Sequence, residues 1–213
     1  PSKSLIIQAE QQSYAQAVER KEALITKLRK KNYDKLDSLA LVDVITAEAT
    51  FISDHEVHIQ GNGIDEILYG EYLFINTGST ANIPAIKGIK ETKHIYTSAE
   101  MMKERSLPEK LAIIGGGYIG LEFSSMYARY GSNVTVFEYG NRLVKREDAD
   151  IADEILKVLE KQGVSFVFES RVKEVANDKK QVVITYDDKD GAEQKVTVDA
   201  VLLAAGRSAN TKG

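Results

Sequence analysis

The 213-residue sequence contains no cysteine, no tryptophan and only three prolines, and it has no long apolar run. Without cysteine, the residues present can form no disulfide, no thiolate metal site and no cysteine nucleophile. The longest apolar stretches, such as LAIIGGGYIGL, are far shorter than the ~20 residues that span a membrane. With 28 basic and 32 acidic residues, the net charge is -4. This balance predicts no contact with nucleic acid or membrane, and we expect a cytoplasmic protein.

The first half of the chain combines a long helix with short strands. Residues 4–31 predict one amphipathic helix, because apolar residues recur at three- and four-residue steps among polar ones: Leu5, Ile6, Ala9, Ala17, Leu24, Ile25 and Leu28. Residues 42–76 change to β-branched and aromatic runs separated by turn residues. We predict strands at VDVIT, ATFI, EVHI, EIL and YLFIN. A short helix follows at TSAEMMKE, and Pro108 marks a boundary.

The second half predicts an α/β fold with a doubly wound, Rossmann-like parallel sheet. Strand, helix, strand, helix and strand follow one another at residues 111–114, 117–130, 134–138, 150–161 and 164–168. Three alternating runs then predict a β-meander with one solvated face: RVKEVAN, QVVITYDD and EQKVTVD. The continuously apolar run AVLLAAG predicts a return into the buried sheet.

One motif carries chemistry. The segment from Gly115 to Gly120, GGGYIG, matches G-x-G-x-x-G between a predicted strand and a predicted helix. Gly115 permits a tight turn, Gly117 lets the backbone approach a pyrophosphate, and Gly120 allows the helix to pack closely on the strand. Glu138 ends the next strand, where an acid that binds the ribose belongs. The alternative is a glycine-rich turn that only joins the two elements.

Glu138 also bears on the choice of nucleotide. A carboxylate accepts hydrogen bonds from a ribose 2′-hydroxyl but repels a 2′-phosphate, by roughly 4 kcal/mol for unit charges ~4 Å apart at an effective dielectric of about 20. We therefore expect NADH to be favoured over NADPH. Arg142, Lys145 and Arg146 follow closely and would soften this preference, unless they form only a solvated loop.

The whole chain resembles the class I flavoprotein pyridine nucleotide-disulfide oxidoreductases, which include glutathione reductase, dihydrolipoamide dehydrogenase and mercuric reductase. Four motifs carry the resemblance: PSK before an apolar helix, INTGS with a later proline and glycine, GGGYIGLE, and AGRSANT. The first is similar to the segment after the family's redox-active C-x-x-x-x-C pair. The helix through LRKKNYDKLD and the INTGS wording are most similar to bacterial hypothiocyanous acid reductases and to mercuric-reductase-like or dihydrolipoamide-dehydrogenase-like enzymes.

The resemblance implies an FAD-dependent NAD(P)H oxidoreductase of disulfide-reductase type. Lys3 and Glu122 would form an ion pair beside the flavin, although sequence alone equally allows the Glu122 head to reach solvent. Tyr118 would cover the flavin until nicotinamide displaces it, and the alternative is a surface tyrosine. The residues implied to contact cofactors are Thr77, Gly78, Ser79 and Gly206 for FAD, and Gly115, Gly117, Tyr118, Ile119, Gly120 and Glu138 for NAD.

The departures from the family pattern are also informative. The family's first G-x-G-x-x-G, its cysteine pair and its C-terminal dimerisation domain have no counterpart here, so we expect a central fragment that is inactive alone, from a homodimeric parent. Residues 1–107 would be part of an FAD domain, 108–206 an NAD(H) domain and 207–213 the start of a return to the FAD domain. Ala209 replaces a common proline and Asn76 a common alanine.

Two other functions remain open at this point. One is an NADH-binding module without catalysis, and the other is a flavoenzyme of the NADH oxidase or ferredoxin reductase type. The acceptor of the electrons, a disulfide or a small oxidant such as hypothiocyanous acid, is not specified by these residues. The three histidines match no family motif, and we expect them to be ordinary strand and loop residues.

Overall fold

The computed structural model describes the backbone of residues 3–211 and the side chains of residues 8–211. The helices are α1 (Lys3–Asp37), α2 (Ser98–Met101), α3 (Tyr118–Arg129) and α4 (Ala149–Lys161). The strands are β1 (Glu48–Phe51), β2 (Glu56–Gly61), β3 (Ile64–Tyr69), β4 (Ser79–Ala81), β5 (Ile95–Thr97), β6 (Lys110–Ile114), β7 (Asn133–Phe137), β8 (Ser165–Val167), β9 (Arg171–Asp178), β10 (Gln181–Asp187), β11 (Glu193–Val198), β12 (Ala200–Leu203) and β13 (Arg207–Ala209).

The predicted α/β fold is confirmed. Five parallel strands form one sheet in the order β5-β12-β6-β7-β8, with α3 linking β6 to β7 and α4 linking β7 to β8. Strands β9, β10 and β11 form the predicted antiparallel meander. Strands β1 to β3 form a second antiparallel sheet, and β4 pairs with β13. The crossover order places the carboxyl ends of β6 and β7 side by side, which is where ligands bind in such sheets.

The parallel sheet is apolar on both faces because its side chains alternate between two cores. Leu111 and Ile113 of β6 belong to a cluster with α3 and α4, whereas Ala112 between them belongs to a cluster with the meander. On the meander side, Phe137 meets Tyr186 edge to face, with ring centroids 4.9 Å apart. Both faces are therefore covered, as continuously apolar strands require.

Helix α1 is longer than predicted and buries different residues. It continues to Asp37 rather than ending near residue 31. Tyr14 and Val18 are buried in the cluster that contains α3, whereas the predicted apolar positions Leu24 and Leu28 are 56% and 48% exposed. The Tyr14 hydroxyl lies 2.6 Å from that of Tyr127 on α3. Both of these buried residues thus lie in the first half of the helix.

Two predicted strands are not formed. Residues 42–46 and 72–76 have no strand structure, while the strands predicted between them occur as β1, β2 and β3. Among residues 3–211 neither run has a neighbouring strand to complete its backbone hydrogen bonds, so β propensity alone does not produce a strand. Their large apolar side chains remain exposed, with Ile45 at 42% and Phe74 at 92%.

The chain divides into two compact units. One comprises residues 1–19 and 80–208, and the other comprises residues 20–79 and 209–213. This division follows compactness and does not assign a cofactor to either unit, so the domain assignment by cofactor stays a prediction. In the part of the chain that the structure describes, no helix is both long enough and apolar enough to cross a membrane.

Candidate functional site

The glycine loop joins β6 to α3 at the carboxyl edge of the parallel sheet. Gly115 has φ 115°, a backbone conformation that side chains rarely adopt, and a Cβ there would lie 2.5 Å from the carbonyl oxygen of Ala204. A Cβ on Gly120 would collide with the carbonyl oxygen of Gly115. These two glycines are therefore required by the packing of the protein itself.

Gly117 has a different reason to be glycine. It is the N-cap of α3 in an extended conformation, with φ -86° and ψ -177°, and a Cβ would meet no atom within 4 Å. Because glycine cannot cap the helix with a side chain, the first N–H groups of α3 are not satisfied from that position. The space above Gly117 is thus open beside a helix N-terminus that favours anions.

Glu138 reaches back from the end of β7 to the glycine loop. Its Oε2 accepts a hydrogen bond of 2.8 Å from the backbone N–H of Gly116, and its Oε1 accepts one of 2.7 Å from the N–H of Gly140. The side chain is only 14% exposed. Because a carboxylate has about four lone-pair sites, two remain for further donors. The spacing in the sequence predicts an acid beside the glycine loop, and in the structure two backbone N–H groups hold its carboxylate there.

A segment after β7 lies against the same loop. The N–H of Val144 donates to the carbonyl of Gly116 over 3.1 Å, and the Val144 side chain is buried. The Lys145 ammonium lies 3.6 Å from Glu138 Oε1, and Arg142 donates to the Lys145 carbonyl over 3.0 Å. Lys145 therefore lies beside Glu138, whereas the hydrogen bond of Arg142 stays within its own loop.

These elements enclose a cleft of about 560 Å³. Its lining includes Gly116, Gly117, Tyr118, Ile119, Glu138 and Arg146. Four of these six were predicted as nucleotide contacts, and the predicted Gly206 also borders the cleft. The volume, the open glycine and the half-used carboxylate together fit a dinucleotide.

Tyr118, the first residue of α3, is 56% exposed, and its hydroxyl donates a hydrogen bond to Oε1 of Glu147. That carboxylate raises the pKa of Tyr118 above its ordinary value, while Arg146 lowers it. Nothing in the sequence pointed to Glu147, which is 29 residues away. Only the return of the chain after β7 brings the two together.

The remaining predicted residues fall into two groups. Glu122 is exposed on α3, and the Lys3 side chain lies outside the described residues, so their ion pair stays a prediction. Thr77 donates through its hydroxyl to the carbonyl of Asn210 over 2.6 Å, and Asn210 donates its N–H to the carbonyl of Gly78 over 3.0 Å. The segment around Ser79, also exposed, is thus tied to the last described residues of the chain.

The comparisons with known proteins agree with this geometry. A family model described as pyridine nucleotide-disulphide oxidoreductase matches residues 1–213. The probable pyridine nucleotide-disulfide oxidoreductase RclA of Escherichia coli is 36% identical over 212 residues, which cover 99% of this chain and 47% of RclA. Mercuric reductase of Staphylococcus aureus is 32% identical over 198 residues, covering 93% of this chain and 35% of that protein.

Solved structures give the same result. The structure described as HOCl-induced flavoprotein disulfide reductase RclA from Escherichia coli superposes with a TM-score of 0.84 at 36% identity, covering 97% of this chain and 46% of that one. Its Cu(II) complex gives a TM-score of 0.85 at 35% identity. The chain therefore spans about half the length of the relative that it matches over nearly all its residues.

Proposed function

The chain belongs to the pyridine nucleotide-disulphide oxidoreductase family, and from this we propose that the cleft between the glycine loop and the segment after β7 binds NAD(H). The observation that carries the proposal is Gly117, whose missing side chain leaves open space at the start of α3 although no protein atom needs that space. Such space is what a pyrophosphate requires to reach the backbone N–H groups. Gly115 and Gly120 would keep the loop in shape.

We propose that Glu138 selects NADH over NADPH. Its carboxylate is held in place by two backbone N–H groups and retains lone pairs for ribose hydroxyls. A 2′-phosphate at the same position would meet this negative charge. The Lys145 ammonium offsets part of the repulsion, but its side chain is 56% exposed, and exposed ion pairs contribute about 1 kcal/mol or less.

For the whole protein that carries this chain, we propose a flavoprotein reductase activity. When bound, the nicotinamide would supply a hydride and the flavin would pass the electron pair to a cysteine pair, which these 213 residues do not contain. Thr77, Gly78, Ser79 and Gly206 would lie on the FAD side. The acceptor would be a disulfide or a small oxidant, and the chain alone would not turn over.

Within that activity, three further side chains have proposed roles. Tyr118 borders the cleft and would cover the flavin until nicotinamide enters. Glu122 would pair with Lys3 beside the flavin. The support for this pair is the family match over all residues, and an exposed Glu122 on α3 leaves its carboxylate accessible to such a partner.

Calorimetric titration of the chain with NADH and with NADPH tests the nucleotide site. We expect saturable binding of both, with NADH at least tenfold tighter. Absence of NADH binding would refute the site, and equal affinities would refute the role of Glu138. For the whole protein, NADH-dependent reduction of a disulfide and of hypothiocyanous acid should be assayed side by side. A protein that binds NADH but contains no flavin would instead be a non-catalytic nucleotide-binding module.

A further inference from the structure

Tyr118, which lines the proposed nucleotide cleft, contacts Glu147 from a different segment of the chain. Tyr118 is the first residue of α3, and Glu147 stands two residues before α4. The Tyr118 hydroxyl donates to Glu147 Oε1, and this is the hydrogen bond that the structure gives to the phenol. The Glu147 residue is half-buried, while the tyrosine is more than half exposed.

Glu147 is held in place by the segment that carries it. Val144 has φ 36°, a conformation that is rare for a β-branched residue and persists only where surrounding contacts impose it. Three contacts impose it here. The Val144 side chain is buried, its N–H donates to the carbonyl of Gly116, and its carbonyl accepts a hydrogen bond of 2.8 Å from the N–H of Glu147. Because the segment is fixed to the glycine loop, the carboxylate cannot follow the ring if the ring turns.

The cleft is open while this hydrogen bond is made. Its volume of about 560 Å³ is present with Tyr118 at its wall. Tyr118 lines the cleft beside Gly117, and an exposed aromatic side chain at the start of a helix has other staggered rotamers. A rotamer that turns the ring toward Gly117 would narrow the space proposed for the pyrophosphate. The bond to Glu147 thus marks one ring position in which the cleft is free, distinct from the position over the flavin that the proposed function gives the ring before nicotinamide enters.

We propose that Glu147 is a positioning residue that holds the Tyr118 ring at the wall of the cleft and so keeps the cleft open to the nucleotide. The inference rests on the proposed function of this cleft as a nucleotide site. Without the bond, only a fraction of molecules would have a free cleft, and the apparent Kd would rise as the inverse of that fraction. The carboxylate would act through the ring and not by touching the nucleotide.

The test is a set of calorimetric NADH titrations on the full chain. Glu147→Ala and Tyr118→Phe each remove the bond, and we expect each to raise the Kd two- to fivefold. Glu147→Gln keeps an acceptor oxygen but no charge and should bind nearly as the wild type does. The double variant should be no weaker than either single one, since both remove the same bond. Asp148→Ala removes the same charge one residue away, from an exposed side chain, and should have little effect.

A second measurement reports the contact without any nucleotide. The carboxylate raises the pKa of Tyr118, so Glu147→Ala should lower that pKa towards its ordinary value, which ring-labelled tyrosine NMR can follow. Glu147→Ala and Tyr118→Phe proteins that bind NADH as tightly as the wild type, or more tightly, would overturn the inference while leaving the nucleotide site intact. Additive losses in the double variant would overturn it as well. If the wild type binds no NADH, the proposed function fails first and the inference with it.

Discussion

The substitution Gly117→Ala separates ligand binding from folding in a way that few single changes can. The residue has an extended backbone that alanine adopts freely, and a Cβ would meet no atom within 4 Å. No protein atom would clash with the added methyl group, and the unfolded chain loses conformational freedom. Alanine, however, caps a helix N-terminus less well than glycine does, by about 1 kcal/mol. These two effects oppose each other, so we expect the free energy of unfolding to change by less than ~1 kcal/mol.

The same substitution should weaken NADH binding strongly. The added methyl group would occupy the space between α3 and the pyrophosphate, and loss of one hydrogen bond from a helix N–H to a charged oxygen costs roughly 1.5–3 kcal/mol. That corresponds to a Kd about 10- to 150-fold higher. Urea unfolding followed by circular dichroism gives the stability, and calorimetric titration with NADH gives the affinity.

Gly120→Ala is the matched control three residues along the chain. Its Cβ would collide with the carbonyl oxygen of Gly115 and lie 3.4 Å from Ile113, so the free energy of unfolding should fall by about 1–3 kcal/mol. A Gly117→Ala protein that binds NADH with wild-type affinity would refute the placement of the pyrophosphate. One that is destabilised as much as the control would refute the claim that the space is free.

Three further predictions concern specificity, packing and pH. Glu138→Gln should reduce the preference for NADH over NADPH at least tenfold, measured by paired calorimetric titrations, because it removes the charge that faces a 2′-phosphate. Tyr127→Phe should lower the free energy of unfolding by about 1 kcal/mol in urea titrations, because the buried hydroxyl of Tyr14 loses its 2.6 Å partner. Burial and the Glu104 carboxylate raise the pKa of Tyr96 to about 12. The contribution of the neutral Tyr96 to the free energy of unfolding is therefore complete below about pH 10 and should be lost as the pH rises towards about 12. The substitution Tyr96→Phe should reduce this loss.

Each of these three has its own control. Glu138→Gln should change NADH affinity less than NADPH affinity, and equal changes would contradict the charge argument. Tyr139→Phe removes a hydroxyl from a ring that is 74% exposed and should leave stability unchanged. The pH experiment compares the free energies of unfolding at about pH 8, 10 and 12, below and across the range in which Tyr96 should ionise. A Tyr96→Phe protein with the wild-type slope would contradict the assignment.

The βαβαβ half of the fold was predictable because each of its signals is local. Apolar runs of strand length, two amphipathic helices and glycines such as Gly115, Gly131 and Gly163 follow one another at the expected spacing, and all three glycines have positive φ. The short edge strand β5 was not predictable, since three residues give no periodicity. It exists because its backbone pairs with β12, Ile95 with Val201 and Thr97 with Leu203.

The two predicted strands that do not form lack a neighbouring strand among the described residues. Residues 42–46 and 72–76 have the composition of strands, and the runs between them do form β1 to β3 because consecutive runs can pair as hairpins. Local composition reports what a residue prefers on a pleated surface, not whether a neighbour is present to complete it. An apolar residue such as Phe74 at 92% exposure marks where that neighbour is absent among the described residues.

The candidate site divides in the same way. Gly115, Gly117, Gly120 and Glu138 could be identified from sequence because one strand-loop-helix-strand unit fixes their spacing. The structure places Gly117 and Glu138 at the cleft, whereas Gly115 and Gly120 pack against backbone carbonyls of the protein. Glu147 could not, because its meeting with the tyrosine depends on a loop whose course is set by tertiary contacts such as the Val144 bond to the glycine loop. Where a site is shaped by loops that return from another element, periodicity and motifs carry no information about distance. In this chain, the residues of the proposed nucleotide site are therefore predictable from sequence, while the contact of Glu147 with the Tyr118 ring becomes visible only when the fold is known.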